Sequence, residues 1–412
     1  MKDLLEISCG LDVHKEKIVA CILTGPIGEK TSSDIREFTT LASDLCNLRE
    51  WIIKSGCRHV AMESTGIYWI PVYEVLETAY NGDITLLVVN ARHMKNVPGK
   101  KTDMRDAEWI STLLRAGLLS ASFVPDKNIR EFRDLNRYRK SIIRDVTKQK
   151  NRIEKFLQAS GFRLSSFISD VFGTSGMNII RHLIEHGSID KDGLDKCLKT
   201  KTRKRIDEIL MSVNGSLSLH QRSFLNILLE HLETLRKHLS EVESSIQQEM
   251  EPFALQVEQL NSIYGLGYIA SCAIIAEIGV DMSAFKTAEH ICSWAGLSPG
   301  NNESAGKRKS TSVTKGNPYI KTMLCESAWV IAGKRKTYLS GWYWRIKQKK
   351  GAKKAIIALA RKLLVIIYTM LKQGTLFDES CFEARRISCE EKQLNHYKRE
   401  LEKHGYHIEA AS

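Results

Sequence analysis

The apolar positions change period along the chain, and each change predicts a different kind of structure. Between residues 4 and 120, strand-like runs alternate with helix-like ones. Leu4 to Val13 and Lys17 to Thr24 are β-rich and separated by a polar turn. Leu41 to Ser55 predicts a helix, and His59 to Glu63 a short strand ending in a carboxylate. Tyr68 to Ala79 predicts a helix with Pro71 in its first turn. Ile84 to Asn90 is a continuous apolar run, the pattern of a strand buried on both faces. Thr102 to Ala116 predicts a further helix, stopped by Gly117. Strands alternating with helices predict an α/β domain with a mixed sheet.

Residues 128 to 160 read instead as one long helix. Its seam runs through Phe132, Leu135, Ile142, Val146, Ile153 and Phe156, with Arg139 and Gln149 breaking the pattern. A second seam, Leu225, Leu228, Leu232, Leu235, Leu239, Val242 and Ile246, steps by three and four without a break, as in a coiled coil. Two such helices can pair as an antiparallel hairpin or dimerise two chains, and the sequence leaves both open. Between them Lys199, Lys201, Arg203, Lys204 and Arg205 form a small basic cluster. Ile263 to Tyr268, followed by Ala270 to Ile278, has the form of a helix–hairpin–helix. Gly265 and Gly267 there would turn the backbone sharply and offer N–H groups to a phosphate. Phe285 and Trp294 to Leu297 read as core, followed by a polar loop, Ser298 to Gly306, and the basic run Lys307, Arg308 and Lys309. The expected division is 1–122, 123–254, 255–377 and a polar tail, 378–412.

Composition narrows the function. At 412 residues, 43% apolar and 26% charged, the chain is globular and long enough for two or three domains. Ala355 to Leu371, the most apolar stretch, contains Arg361 and Lys362, so a buried helix is expected there and no membrane span. The N-terminus lacks an apolar signal core, and the ten cysteines are scattered without zinc spacing. Reduced thiols in a cytoplasmic, nucleoid-associated protein are expected. The net charge is +13, and nearly all of it lies in residues 327–377, which hold 12 Lys/Arg and no acid. Such a stretch points to a polyanionic partner.

Four acids stand where phosphoryl chemistry would want them. Asp12 follows Gly10-Leu11 at the end of the first strand, and Glu63 ends a later one. Asp103 and Asp106 start a helix three residues apart, hence on one face. Taken singly, each acid reads as a turn residue or as a complement to a helix dipole. Together, at strand ends and a helix start, they suit divalent ions that need several oxygen ligands.

At these residues the sequence resembles the insertion sequence 110 family of transposases, which includes the Piv-type DNA invertases. The resemblance is carried by Gly10-Leu11-Asp12-Val13-His14-Lys15 and Lys101-Thr102-Asp103-Met104-Arg105-Asp106-Ala107. A second block resembles the family's C-terminal domain: Gly265-Leu266-Gly267, Ala276-Glu277-Ile278-Gly279, Phe285-Lys286, Trp294 to Pro299, and Lys315-Gly316-Asn317. The resemblance implies an α/β RuvC-like, RNase H-type N-terminal domain, a helical coiled-coil linker and a mainly α C-terminal domain. It implies Mg²⁺ held by Asp12, Glu63, Asp103 and Asp106, and a nucleophilic serine at Ser304, in Glu303-Ser304-Ala305-Gly306-Lys307. Ala305 stands where the family commonly has glycine, and Ser298 and Ser310 are the other candidates. A covalent phosphoserine would conserve the energy of a cut strand for rejoining.

The resemblance further implies donor and target DNA as partners, a structured non-coding RNA that reads sequence by pairing, and a homo-oligomer, dimer or tetramer. The nucleic-acid surface is expected at Gly265, Gly267, Lys307, Arg308, Lys309, Lys315, Lys334, Arg335, Lys336, Arg345 and Lys347. Tyr338, Trp342, Tyr343 and Trp344 interleave with these cations and could stack on bases or belong to the core. Three other readings are a Piv-type invertase, a structure-selective nuclease using the acids and water, and a non-catalytic nucleic-acid-binding protein.

Overall fold

The computed structural model describes residues 3–64, 66–90, 103–300, 302–304, 307–310, 313, 315–335 and 337–405. Of the expected site residues, Lys336 and the side chains of Asp103, Ser304, Lys307, Arg308 and Lys309 lie outside the described residues. The chain forms two compact units, Met1–Val124 and Pro125–Ser412.

The first unit is built on five strands: β1 (Ile7–Val13), β2 (Lys17–Thr24), β3 (Ser32–Thr39), β4 (His59–Glu63) and β5 (Thr85–Val89). They form one sheet in the order β3-β2-β1-β4-β5. β2 pairs antiparallel with β1 and β3, whereas β1–β4 and β4–β5 are parallel. This is the expected α/β domain with a mixed sheet. Alternation along the strands divides their side chains between two faces. Cys9, Leu11, Val13, Val60 and Met62 meet Leu45, Leu48 and Ile52 of α1 (Ala42–Lys54) and Val72 and Leu76 of α2 (Trp69–Glu77). On the opposite face, α3 (Asp103–Arg115) sets Ala107 against Val19, Cys21 and Leu23, and Ile110 and Leu114 against Ala61 and Val89. Arg115 anchors the far end of α3: buried, it donates to the carbonyls of Glu6, Gly25 and Pro26 at 2.6–2.8 Å and pairs with Asp3 at 3.0 Å.

β3 is the strand that periodicity misses. Its sequence, SSDIREFT, is exposed except for the half-buried Ile35 and Phe38, so it lacks the apolar face that marks a strand. It is an edge, held by full backbone pairing with β2.

In the second unit, α4 (Lys127–Ala159) and α9 (Leu219–Glu249) answer the question the sequence left open. They pair within the chain, antiparallel: Phe156 meets Phe224, Gln149 donates to the Leu228 carbonyl at 2.7 Å, and Arg139 pairs with Glu243 at 2.6 Å. The two polar breaks in the α4 seam are thus the residues that fix the hairpin's register, since a buried amide or guanidinium tolerates only a position with its partner. Between them lie α5 (Thr174–His186), α6 (Lys191–Cys197), α7 (Thr200–Arg203) and α8 (Ile206–Ser212). These close a separate core with Ile153, Leu157, Leu225 and Leu232. In the basic cluster, Arg203 pairs with Asp195 and Arg205 with Glu208, both exposed. The remainder is α10 (Ala254–Asn261), α11 (Tyr268–Ile278), α12 (Ala288–Trp294), α13 (Pro318–Gly333), α14 (Tyr338–Lys350), α15 (Ala352–Gln373) and α16 (Glu383–Lys403). None of the described helices is long and apolar enough to cross a membrane.

Candidate active site and nucleic-acid interface

The acidic site is positioned by a glycine. Gly10 sits on the α3 face of β1, where an added Cβ would lie 2.1 Å from the Ala107 carbonyl oxygen and 2.4 Å from the Ser111 nitrogen. Helix and strand therefore touch backbone to backbone. Two residues earlier, Ser8 and Ser111 exchange hydrogen bonds: each hydroxyl reaches the other's carbonyl, at 3.2 and 2.9 Å. A helical turn of four residues rises about 6 Å, and two strand residues rise about 6.6 Å. The pairings Ser8–Ser111 and Gly10–Ala107 thus keep step. Continued one step, the same spacing would set Asp12 level with the first turn of α3, which carries Asp103 and Asp106.

Glu63 joins them through the sheet. β1 and β4 run parallel with Gly10 beside Ala61 and Leu11 beside Met62, so Asp12 and Glu63 are the next positions on adjacent strand ends. Both alternate onto the α3 face with Gly10 and Ala61. Asp12 is only 6% exposed, and His14 Nε2 donates to its Oδ2 at 3.1 Å. Glu63 and Asp106 are half-buried. Carboxylate oxygens of this kind are the donors hard divalent cations take, so the residue set fits Mg²⁺. Among the described residues no three His, Cys, Asp or Glu side chains stand together as a metal site.

Ser304 lies in a hairpin where the sequence predicts a plain loop. β6 (Asn302–Ser304) pairs antiparallel with β7 (Lys307–Ser310), setting Glu303 beside Arg308 and Ser304 beside Lys307. Ser304 is the last residue of β6. The strands are short and polar, so they carry no apolar alternation for periodicity to find. Inward from the tip, Pro299 and Val313 bridge antiparallel. At the base Gly316 meets Gly296: a Cβ on Gly316 would lie 2.1 Å from the Gly296 nitrogen and 2.5 Å from the Trp294 carbonyl oxygen. The tight crossing explains the glycine at 316, and a φ of +68° the glycine at 296.

Comparison with known proteins bears on both units. Residues 9–161 match a DEDD transposase domain of the IS110 type, and residues 257–344 match the domain described as "Transposase IS116/IS110/IS902 family". The chain belongs to this transposase family. It is 25% identical over 277 residues to the protein y4qE of Sinorhizobium fredii, covering 66% of this chain and 58% of that one. The pilin gene-inverting protein of Moraxella bovis is 32% identical over 127 residues, which are 30% of this chain and 39% of that one. The transposase of insertion sequence element IS1111A from Coxiella burnetii is 23% identical over 328 residues, 77% of this chain and 78% of that one. The matched region thus spans less than two thirds of the length of the first two relatives.

In this member of the family, the second unit contains a node that the sequence only hinted at. Glu277 is the one charged residue of the apolar helix α11, and it is 3% exposed. Arg137 grips both its oxygens, at 2.8 and 2.9 Å, and Asn317 Nδ2 donates to Oε2 at 2.6 Å. Arg133 donates to the carbonyls of Ala276 and Glu277 at 3.1 and 2.8 Å. Burial pulls the Arg133 guanidinium down to about 10, which leaves it charged at neutral pH. Burial acts the same way on Arg137, but the Glu277 carboxylate reverses it and the net shift is upward. A lone acid in an apolar helix was the available signal; its partners lie some 140 and 40 residues away.

The nucleic-acid candidates are partly gathered. Gly265 (φ +90°) and Gly267, the N-cap of α11, form the expected turn, and a Cβ on Gly267 would meet only open space. Lys334 lies 3.7 Å over the Tyr264 ring, so this turn and the start of the basic stretch adjoin. Lys315, Lys334 and Arg335 are exposed, while Arg345 and Lys347 are half-buried. The interleaved aromatics divide. Tyr338, stacked on Phe382, and Tyr343, edge-on to Trp329, are buried and cannot stack on bases. Tyr264, Tyr268, Trp329 and Trp344 are exposed, with Lys347 3.9 Å over Trp344, and Trp342 is half-buried.

Proposed function

We propose that this chain is the DNA recombinase of an insertion sequence. Its first unit would be a RuvC-like, RNase H-type domain, which the strand order with one antiparallel and one parallel flank supports. Asp12, Glu63, Asp103 and Asp106 hold Mg²⁺ in this reading. The bound ion would polarise the scissile phosphate and offset its developing charge. The observation that supports the proposal is the Gly10–Ala107 contact, which packs α3 flush on β1 next to β4, the two strands that carry Asp12 and Glu63.

Ser304 is the nucleophile. Its hydroxyl oxygen bonds to phosphorus as the bond from phosphorus to one flanking deoxyribose oxygen breaks, and that oxygen leaves with a proton. The resulting phosphoserine ester keeps the phosphodiester energy. Attack by a hydroxyl of another strand then releases the serine and joins the DNA. Its place at the end of β6, paired with Lys307 of β7, supports this role, because a cation beside the hydroxyl favours an approaching phosphate. A structured RNA from the same element supplies sequence reading by base pairing, leaving the protein to grip backbone with Lys315, Lys334 and Arg335. The chains work as a homo-oligomer.

The test uses the purified protein with its co-purified RNA and duplex DNA flanking its gene. Ser304→Ala abolishes covalent protein–DNA adducts while nucleic-acid binding survives, and Asp12→Asn abolishes strand cleavage without unfolding the chain. Recombination by Ser304→Ala would refute the serine assignment; free nicked ends without an adduct would establish the nuclease reading. Site-specific inversion is the second reading, favoured by the 32% identity to the pilin gene-inverting protein. An invertible segment beside the gene distinguishes it.

A further inference from the structure

We infer that Glu277 and Asn317 are positioning residues for Ser304, an inference that rests on the reading of Ser304 as nucleophile. The recombination chemistry itself makes no use of Glu277, yet the fold buries an acidic side chain there and surrounds it with donors. Apolar residues of the same volume would hold three helices together as well. What an ionic node adds is a single permitted geometry.

That geometry is relayed toward the hairpin by a set of pairings. Asn317 uses every polar group it has. Its amide nitrogen donates to Glu277, its Oδ1 accepts from the Tyr319 and Ile320 N–H groups at the start of α13, and its backbone N–H donates to the Trp294 carbonyl at 3.0 Å. Trp294 opens the Gly296 turn, and Gly316, next to Asn317, is flush against Gly296. Beyond this crossing come the Pro299–Val313 bridge and then the ladder that ends at Ser304 and Lys307. Glu277 thus registers α4, through Arg137, with both strands of the hairpin base. A shift of Asn317 moves the crossing, and the crossing carries the tip. Neither residue touches the reacting atoms.

The inference predicts a loss of rate at saturating DNA without a loss of binding. The full chain, with its co-purified RNA and flanking duplex, is assayed for single-turnover adduct formation, DNA affinity and thermal stability. Asn317→Asp keeps a good helix cap but sets a second carboxylate against Glu277. The adduct rate per folded molecule falls about tenfold or more, as misplacement by a fraction of an ångström requires, with the dissociation constant within about twofold. Glu277→Gln added to Asn317→Asp returns an amide donor to the pair and recovers most of the rate. Asn317→Ser, which keeps the cap and only loses the amide, provides a milder variant if the first fails to fold, and is expected to show a smaller drop of the same kind. An unchanged rate per folded molecule in the variants, with adducts still dependent on Ser304, overturns the inference and leaves Glu277 a stability element. Adducts that persist in Ser304→Ala instead overturn the reading on which it rests.

Discussion

Gly10→Ala tests how the acidic site is assembled. The added methyl would lie 2.1 Å from the Ala107 carbonyl oxygen, and ordinary contact begins at 3.4 Å, so α3 must lift by about 1.3 Å. The neighbour is helix backbone, held further along α3 by the Ser8–Ser111 hydrogen bonds and the Arg115 clamp, so it cannot swing aside like a side chain. Overpacking of this kind costs about 1–3 kcal/mol. For a unit of this size each kcal/mol is worth roughly 3–6 °C, giving a melting temperature lower by about 5–15 °C. The catalytic effect should be larger, because a displacement of about 1 Å in a reacting constellation costs on the order of 100-fold. Calorimetry and single-turnover cleavage on one preparation measure both. Gly341→Ala is the control: it lies in α14 with nothing within 4 Å, so the same change there should stabilise by about 0.5–1 kcal/mol. A Gly10→Ala protein that melts with the wild type and cleaves at its rate would refute the idea that helix–strand contact sets the site.

Other consequences follow from burial and pairing. Arg137→Ala strips the bidentate partner from buried Glu277 and should cost about 3–5 kcal/mol in a denaturant melt, whereas replacing Arg137 and Glu277 together by Leu should cost less. Leu232→Ala, fully buried, should cost about 2–5 kcal/mol, and Leu239→Ala, in the same seam but half-buried, clearly less. Burial pushes the thiols of Cys57, Cys272 and Cys292 up to about 11, so at neutral pH iodoacetamide should alkylate exposed Cys46 well before them, as read by peptide mass spectrometry. Those raised values also mean that the unfolded chain loses thiol protons first. The stability they supply is complete below the ordinary value of 9 and is lost as pH rises through about 11, which alkaline melts should show.

Legibility tracked how strongly burial constrained each segment. β5 announced itself because, although it ends the sheet, Val88 and Val89 enter the cores on its two faces, and α9 because its leucines close a helix pair. β3 and the β6–β7 hairpin have no such face, so backbone pairing, invisible to composition, defines them. The α4 seam taught the opposite lesson. Gln149 and Arg139 looked like errors in a hydrophobic repeat until their partners, Leu228 and Glu243, came from about 80 and 100 residues away. The acids were readable as strand ends and a helix start, whereas the need for glycine at position 10, inside a strand, shows only when α3 is laid across it. Among the aromatics, interleaving alone could not separate the buried Tyr338 and Tyr343 from the exposed Trp344.

The α4–α9 hairpin is unevenly filled. Leu225 to Leu232 belong to the core shared with α5, α6 and α8, and Ile246 is buried near the other end, but Leu235, Leu239 and Val242 between them are only half-covered. Such a thin waist lets the two ends lose structure separately. Amide exchange should therefore resolve two cooperative blocks along what looks like one continuous rod, with a soft joint near residues 235–242. A helix pair of this kind can bend there under an attached nucleic acid while its terminal blocks stay folded, which makes it a flexure rather than a strut.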